Sequence, residues 1–211
     1  MSEFLPIFIN IKGKKCVVIG GGAVAERKIK TLLKYGAQIT VISPDITDYI
    51  QKKVSTGTIK YIKRKYIKKD VEDAILVVAA TSDKQTNVKI AKDSSFLINS
   101  VETSNPRNIS GIVYTVPAIV RKGDLTIAVS TDFPALSRVI KNEISKLYGK
   151  EFALYLKYLK QIRKKIQGQI SDSKKRQAIF RNIASEKIVS ILRQYGFKEA
   201  KKEIEKIIDE V

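Results

Sequence analysis

Three consecutive glycines, Gly20, Gly21 and Gly22, constrain this chain more than any other feature. They end a run of four apolar residues, Cys16 to Ile19, that is too short for a helix. After them, Ala23 to Tyr35 places Val24, Ile29, Leu32 and Leu33 on one side of a helix that stops at Gly36. Strand, turn and helix follow without a gap. In the pattern Gly20-x-Gly22-x-x-Ala25, Gly20 permits the tight turn and Gly22 has no side chain to hold a pyrophosphate off the backbone. Ala25 is small enough for the helix to lie close to a sheet. The first helical residues, Ala23 and Val24, then offer unpaired N–H groups and the positive end of the helix dipole to the phosphates. The expectation is a bound dinucleotide; the alternative is a structural strand-to-helix turn that binds nothing.

The following segments extend this unit. Gln38 to Ile42 alternates and is β-branched, so it reads as a second strand. It ends at Ser43-Pro44-Asp45, where a dinucleotide fold meets the adenosine ribose and an acidic residue often holds the 2′-hydroxyl. No clamp for a 2′-phosphate stands nearby, which favours NAD over NADP. Ile46 to Val54 reads as a short helix and Thr58 to Lys63 as a third strand. Ile75 to Ala80 is continuously apolar, as suits a strand buried on both faces. Thr81-Ser82-Asp83 suits both a helix N-cap and the edge of a cofactor. Asn87 to Lys92 continues a helix, and Phe96 to Ser100, containing Asn99, reads as a further strand. Strands alternating with helices predict an α/β fold with a Rossmann-like parallel sheet. The loops after Gly20, Ile42, Ala80 and Asn99 should converge at its carboxyl edge.

From about Gly111 the pattern changes. Ile112 to Val120 and Leu125 to Ser130 read as a hairpin joined by Arg121 to Asp124. Pro134 opens a helix through Leu147, with Leu136, Val139, Ile140, Ile144 and Leu147 on one face. A hairpin and one helix bury little apolar area, which predicts pairing with a second copy. Beyond Gly149 the pattern is helical: Phe152 to Gln169, Lys174 to Ser185, Lys187 to Tyr195 and Glu199 to Ile208. Lys157, Lys160, Arg163, Lys164 and Lys165 form a basic flank that reads most simply as a solvated face. The expected division is a dinucleotide domain over 1–112, a small α+β dimerisation segment over 113–148 and a helical C-terminal domain over 149–211.

Composition narrows the chemistry. The single cysteine, Cys16, sits in the first strand and reads as a small buried hydrophobe. There is no histidine, so proton transfer falls to Asp, Glu, Lys, Tyr or water, and no residue is assigned as a metal ligand. The formal net charge is +19, from 40 Lys and Arg against 21 Asp and Glu. The lysines are scattered and no nucleic-acid module accompanies them, which points to a multiply carboxylated ligand rather than nucleic acid. No apolar run approaches the roughly 20 residues that span a bilayer and no leader is evident, so no membrane partner and a cytoplasmic location are expected.

With these motifs placed, the chain resembles the precorrin-2 dehydrogenase family, the dehydrogenase and ferrochelatase part of sirohaem synthases. The resemblance is carried by LPIFINIKGKKCVVIGGGAVAERK, GAQITVISP, VVAAT, INSVE, VPAIVRKGDLTIAVST and PALSRVIKNEI, in that order, over Leu5 to about Leu147. It implies NAD-dependent oxidation of precorrin-2 to sirohydrochlorin and, in some members, insertion of ferrous iron. It also implies a homodimer in which the hairpin and helix form the dimerisation region and both subunits border the active cleft. Glu102 stands where family members usually carry a catalytic Asp, and Asp132 is a second candidate carboxylate; the alternative for Glu102 is a loop carboxylate without a catalytic part. Thr131, Arg138 and Lys141 are the candidate substrate-binding residues, with plain surface charge as the alternative for the two cations. The family's glycine-containing segment before the last helix, with its serine ahead of the proline, is shortened here to Ser130-Thr131-Asp132-Phe133-Pro134. A competing expectation is a nucleotide-responsive regulatory protein that kept the NAD fold and lost turnover; a nucleic-acid binder, suggested by the charge alone, is a third.

Overall fold

The computed structural model of the chain describes residues 5–94, 97–100 and 112–209. Its contacts divide the chain into two units, Met1–Thr115 and Val116–Val211.

The first unit is a six-stranded, wholly parallel sheet in the order β3-β2-β1-β4-β5-β6. The strands are β1 (Lys15–Ile19), β2 (Gln38–Ile42), β3 (Lys60–Ile62), β4 (Leu76–Ala79), β5 (Leu97–Ser100) and β6 (Ile112–Val113). The order reverses between β1 and β4, and ligands of such sheets bind at that reversal. Helices α1 (Ala23–Lys34), α2 (Asp48–Ser55) and α3 (Lys84–Asp93) make the connections, with a 3-10 turn at Lys68–Val71 before β4. Gly36 takes φ 72°, the left-handed conformation expected of a residue that stops a helix.

The sheet is apolar on both faces because successive side chains alternate. Cys16, Val18, Ile39, Val41, Leu76 and Val78 face a core completed by Ala25, Ile29 and Leu32 of α1 and Ile50 of α2. Val17, Ile19, Ile42, Val77 and Ala79 face a second core completed by Ile90 and Ala91 of α3, Val71 and Ile98. Ile29 and Ile90, both fully buried, each contribute about 1.5–3 kcal/mol of transfer free energy. Cys16 lies in this packing, and burial raises its thiol pKa to about 11.

The second unit opens with the antiparallel hairpin β7 (Ala118–Lys122) and β8 (Leu125–Val129), followed by α4 (Pro134–Leu147). This corrects one expectation: 112–120 is not a single hairpin strand. Ile112 and Val113 instead add β6 to the parallel sheet, pairing with Leu97 and Ile98. The hairpin begins only after Pro117, which lacks an N–H for a ladder and restricts Val116 before it. Three helices complete the unit: α5 (Lys150–Gln169), α6 (Ser173–Ile183) and α7 (Glu186–Asp209). They close over Phe152, Tyr155, Ile162, Ile166, Ile179, Ile183, Ile188, Leu192, Ala200 and Ile204. The span α7 comprises the two C-terminal helices expected from the pattern, which meet in a kink at Gly196, whose φ of 81° and ψ of 179° are not helical. Among the described residues no helix is long and apolar enough to cross a membrane.

Candidate functional site

The register aligns the strand ends that matter. Ile42, Ile19, Ala79 and Ser100, from β2, β1, β4 and β5, lie in one row across the sheet. The connections that leave this row start within roughly 15 Å of one another, given a strand spacing of about 4.8 Å.

The glycine turn is welded to its neighbours. The Gly20 N–H donates to Ile42 O at 2.9 Å, Ala80 N–H to Ile19 O at 2.8 Å and Thr47 N–H to Gly21 O at 3.0 Å. Gly20 takes φ 114°, and a Cβ there would lie 2.2 Å from Ala80 O; one on Gly21 would lie 2.0 Å from Asp45 O. Both positions therefore exclude side chains for packing reasons. Gly22 differs, since a Cβ on it would meet nothing within 4 Å. It is the N-cap of α1 and has no side chain with which to cap, so it leaves the first N–H groups of the helix uncapped. Ala25 is fully buried against the sheet. Space beside Gly22, free donors and a helix dipole make a cradle that fits a diphosphate.

The loop after β2 meets this cradle. Ser43 is buried, and its N–H donates to Ile62 O. Tyr61 of β3 donates its hydroxyl to Ser43 O at 3.0 Å or Pro44 O at 3.1 Å. The carbonyl of Asp45 packs on Gly21, while its side chain is exposed. A carboxylate there, on a loop fixed against the glycine turn, suits ribose hydroxyls. Thr47 caps α2 and donates its hydroxyl to Glu26 in the first turn of α1 at 2.7 Å. The hydrogen bond from Lys30, then that from Thr47, holds the Glu26 carboxyl below its ordinary pKa.

Thr81 follows β4. Its N–H and hydroxyl both meet Asn87 Oδ1, at 3.1 and 2.8 Å, and Asn87 Nδ2 donates back to Thr81 O at 3.0 Å. Asp83 caps α3 by accepting from the N–H groups of Gln85 and Thr86. The Thr86 hydroxyl also bonds Asp83, and this contact leads the interactions that lower its pKa.

The structure thus brings Gly20, Gly21, Gly22, Ala23, Val24, Ala25, Ser43, Pro44, Asp45 and Thr81 to one edge of the sheet. Asn99 lies next to last in β5, paired with Val78. Glu102 lies outside the described residues. In the second unit, Thr131 follows β8, Asp132 and Arg138 are exposed, and Lys141 is half-buried with Nζ 3.4 Å from Asn142 Oδ1. Sequence reasoning assigned no role to Asn87, Tyr61, Thr47 or Ser137. Asn87 carried a signal, because it stands on the stripe that Ile90 and Ala91 bury.

Residues 7–111 match a family model described as "Putative NAD(P)-binding". The chain is 33% identical over 165 residues to the precorrin-2 dehydrogenase of Bacillus subtilis, covering 76% of this chain and 99% of that protein. The chain belongs to the precorrin-2 dehydrogenase family. The precorrin-2 dehydrogenase of Priestia megaterium is 29% identical over 196 residues, covering 90% of this chain and 95% of that protein. The solved structure "SirC, precorrin-2 dehydrogenase" superposes with a TM-score of 0.74 at 27% identity, covering 96% of this chain and all of that one. The sirohaem synthase of Methylobacillus flagellatus is 27% identical over 194 residues; the match covers 89% of this chain and 41% of that longer protein. The description of the family model and the shape of the glycine cradle agree, because both point to a dinucleotide as ligand.

Proposed function

We propose that the chain oxidises precorrin-2 to sirohydrochlorin with NAD, in the cytoplasm. The observation that carries this reading is the glycine turn in a member of this family: Gly22 opens onto space at the start of α1, while Gly20 and Gly21 are sealed against β4 and the β2 loop. NAD supplies a two-electron acceptor that takes a hydride from a ring carbon.

Every other task falls to the chain. The N–H groups of Ala23 and Val24 hold the diphosphate, and Asp45 holds the adenosine ribose, with Tyr61 fixing its loop. Thr81, clamped by Asn87, and Asn99 border the nicotinamide end. Thr131, Arg138 and Lys141 take carboxylates of the macrocycle. Oxidation by hydride loss releases one proton from the ring for each hydride taken. In a chain without histidine a carboxylate is the simplest acceptor, and Glu102 and Asp132 are assigned that role. Ferrous iron is the substrate of a second step that yields sirohaem, and the same two carboxylates take the protons displaced there.

The working unit is a homodimer. Phe133, Leu136, Val139 and Leu147 of α4 and its entry are 72%, 50%, 52% and 57% exposed in the single chain, and Val116 before the hairpin is 47% exposed. A second copy covering this face removes from water a patch that a monomer would not retain.

Incubation with NAD and enzymatically made precorrin-2 tests the reading: the sirohydrochlorin spectrum and an equal amount of NADH support it. NAD binding without oxidation would instead favour a regulatory protein of the same fold.

A further inference from the structure

The connection after β8 is built like the connection after β4. In each, a threonine ends the strand region and meets, through both its N–H and its hydroxyl, a polar side chain six residues on in the following helix. In the first unit the pair is Thr81 and Asn87. In the second it is Thr131 and Ser137, with Thr131 N–H to Ser137 Oγ at 3.0 Å and the two hydroxyls at 2.8 Å. The intervening turns also correspond. Thr81 Oγ1 accepts from Asp83 N–H and Thr131 Oγ1 accepts from Phe133 N–H, each at 3.2 Å.

Ser137 is the one buried residue of α4, at 6% exposure, although its helix neighbours from Pro134 to Val139 are exposed. The hydroxyl so held from water bonds Thr131. The turn so closed presents Asp132 at its centre. Among the described residues no hydrogen bond or ion pair engages the Asp132 carboxylate, so the fold fixes its backbone and leaves its chemistry free.

We infer that Ser137 is a positioning residue for the tetrapyrrole, acting through Thr131 to fix the turn that carries Asp132. The inference rests on the reading of the chain as a precorrin-2 dehydrogenase. Just as Asn87 serves the cofactor edge, Ser137 serves the macrocycle. Removing its hydroxyl leaves the Thr131 N–H without its partner and lets the turn relax, so Asp132 and Thr131 lose their defined placement. The dinucleotide cradle contains none of these groups and is unaffected.

The test measures NAD affinity by calorimetry and steady-state oxidation of precorrin-2 for the full chain, Ser137→Ala, Asp132→Asn and the double variant. Turnover by the unaltered chain establishes the reading itself, separately from the role of Ser137. For Ser137→Ala, kcat/KM for precorrin-2 is expected to fall about tenfold with NAD affinity unchanged. In the double variant the loss should be smaller than the product of the two single losses, because Ser137 acts on the turn that carries Asp132. Undiminished turnover in folded Ser137→Ala, multiplicative losses in the double variant, or an equal loss of NAD affinity would each overturn the inference. Should Ser137→Ala fail to fold, Ser137→Cys replaces the hydroxyl by a poorer hydrogen-bond partner of similar size and Ser137→Thr keeps it: loss in the first with recovery in the second supports the role, and equal rates in both refute it.

Discussion

Asn87 grips Thr81 at three points: its Oδ1 meets the Thr81 N–H and hydroxyl, and its Nδ2 donates to Thr81 O. Asn87 is completely buried, so the clamp works where water cannot substitute for it. Asn87→Ala leaves those groups unpaired beside a hole. It is expected to cost about 2–3 kcal/mol of folding stability and to weaken NAD binding about tenfold. Asn87→Asp keeps the acceptor but loses the donor and buries a charge, so it should be at least as destabilising. Urea unfolding and NAD titration check both; stability and affinity like those of the unaltered chain would show that Asn87 does not hold the cofactor edge.

The three glycines should separate in their effects. Gly21→Ala puts a Cβ into Asp45 O, and Gly20→Ala puts one into Ala80 O at a φ of 114°. Each should lower stability by about 1–3 kcal/mol. Gly22→Ala meets no protein atom within 4 Å, so the melting temperature should barely move while NAD affinity falls about tenfold or more. Equal effects at Gly21 and Gly22 would contradict the assignment of the space beside Gly22 to phosphate.

How much of this was legible in the sequence depended on local chemistry. The ends of β2 and α4 were readable to the residue, because alternation ran into Ser43-Pro44 and because Pro134 can only open a helix. The strand β6 was not, since Ile112 and Val113 look like the hairpin they precede; their partner in the parallel sheet is set by tertiary pairing with Leu97 and Ile98. The glycine turn was visible because glycine has few other reasons to occur in threes. The polar clamps were harder to read: Asn87 stood on the stripe that Ile90 and Ala91 bury, whereas Ser137 sits among exposed neighbours, and only burial shows which groups the two satisfy.

Asp70 links stability to pH. Burial raises its pKa, but the two hydrogen bonds from Arg64, at 2.8 and 2.6 Å, and that from Ile67 N–H outweigh burial and hold the carboxyl below its ordinary range. A carboxyl lowered on folding stabilises the native state above the ordinary carboxylate pKa, and this is lost as pH falls through the native value. Asp70→Asn should therefore cost about 1–2 kcal/mol near neutrality, a figure reduced because Arg64 is more than a third exposed. The difference from the unaltered chain should shrink as the solution is acidified, as followed by thermal melts. A deficit independent of pH would assign the loss to packing.

The apolar face of α4 predicts self-association. Sedimentation should find a dimer for the unaltered chain, and Leu136→Glu with Val139→Glu should give a folded monomer. A monomeric unaltered chain, or a dimer indifferent to both charges, would place the interface elsewhere.

The space beside Gly22 is proposed to hold the diphosphate of NAD during oxidation of precorrin-2. The most direct measurement follows NADH and sirohydrochlorin together, with purified chain, NAD and fresh precorrin-2, for the unaltered protein and for Gly22→Ala. One NADH for each sirohydrochlorin, and loss of both products in the variant at low NAD with recovery at high NAD, is the predicted result. Sirohydrochlorin formed without NADH, or turnover indifferent to Gly22→Ala, would contradict it.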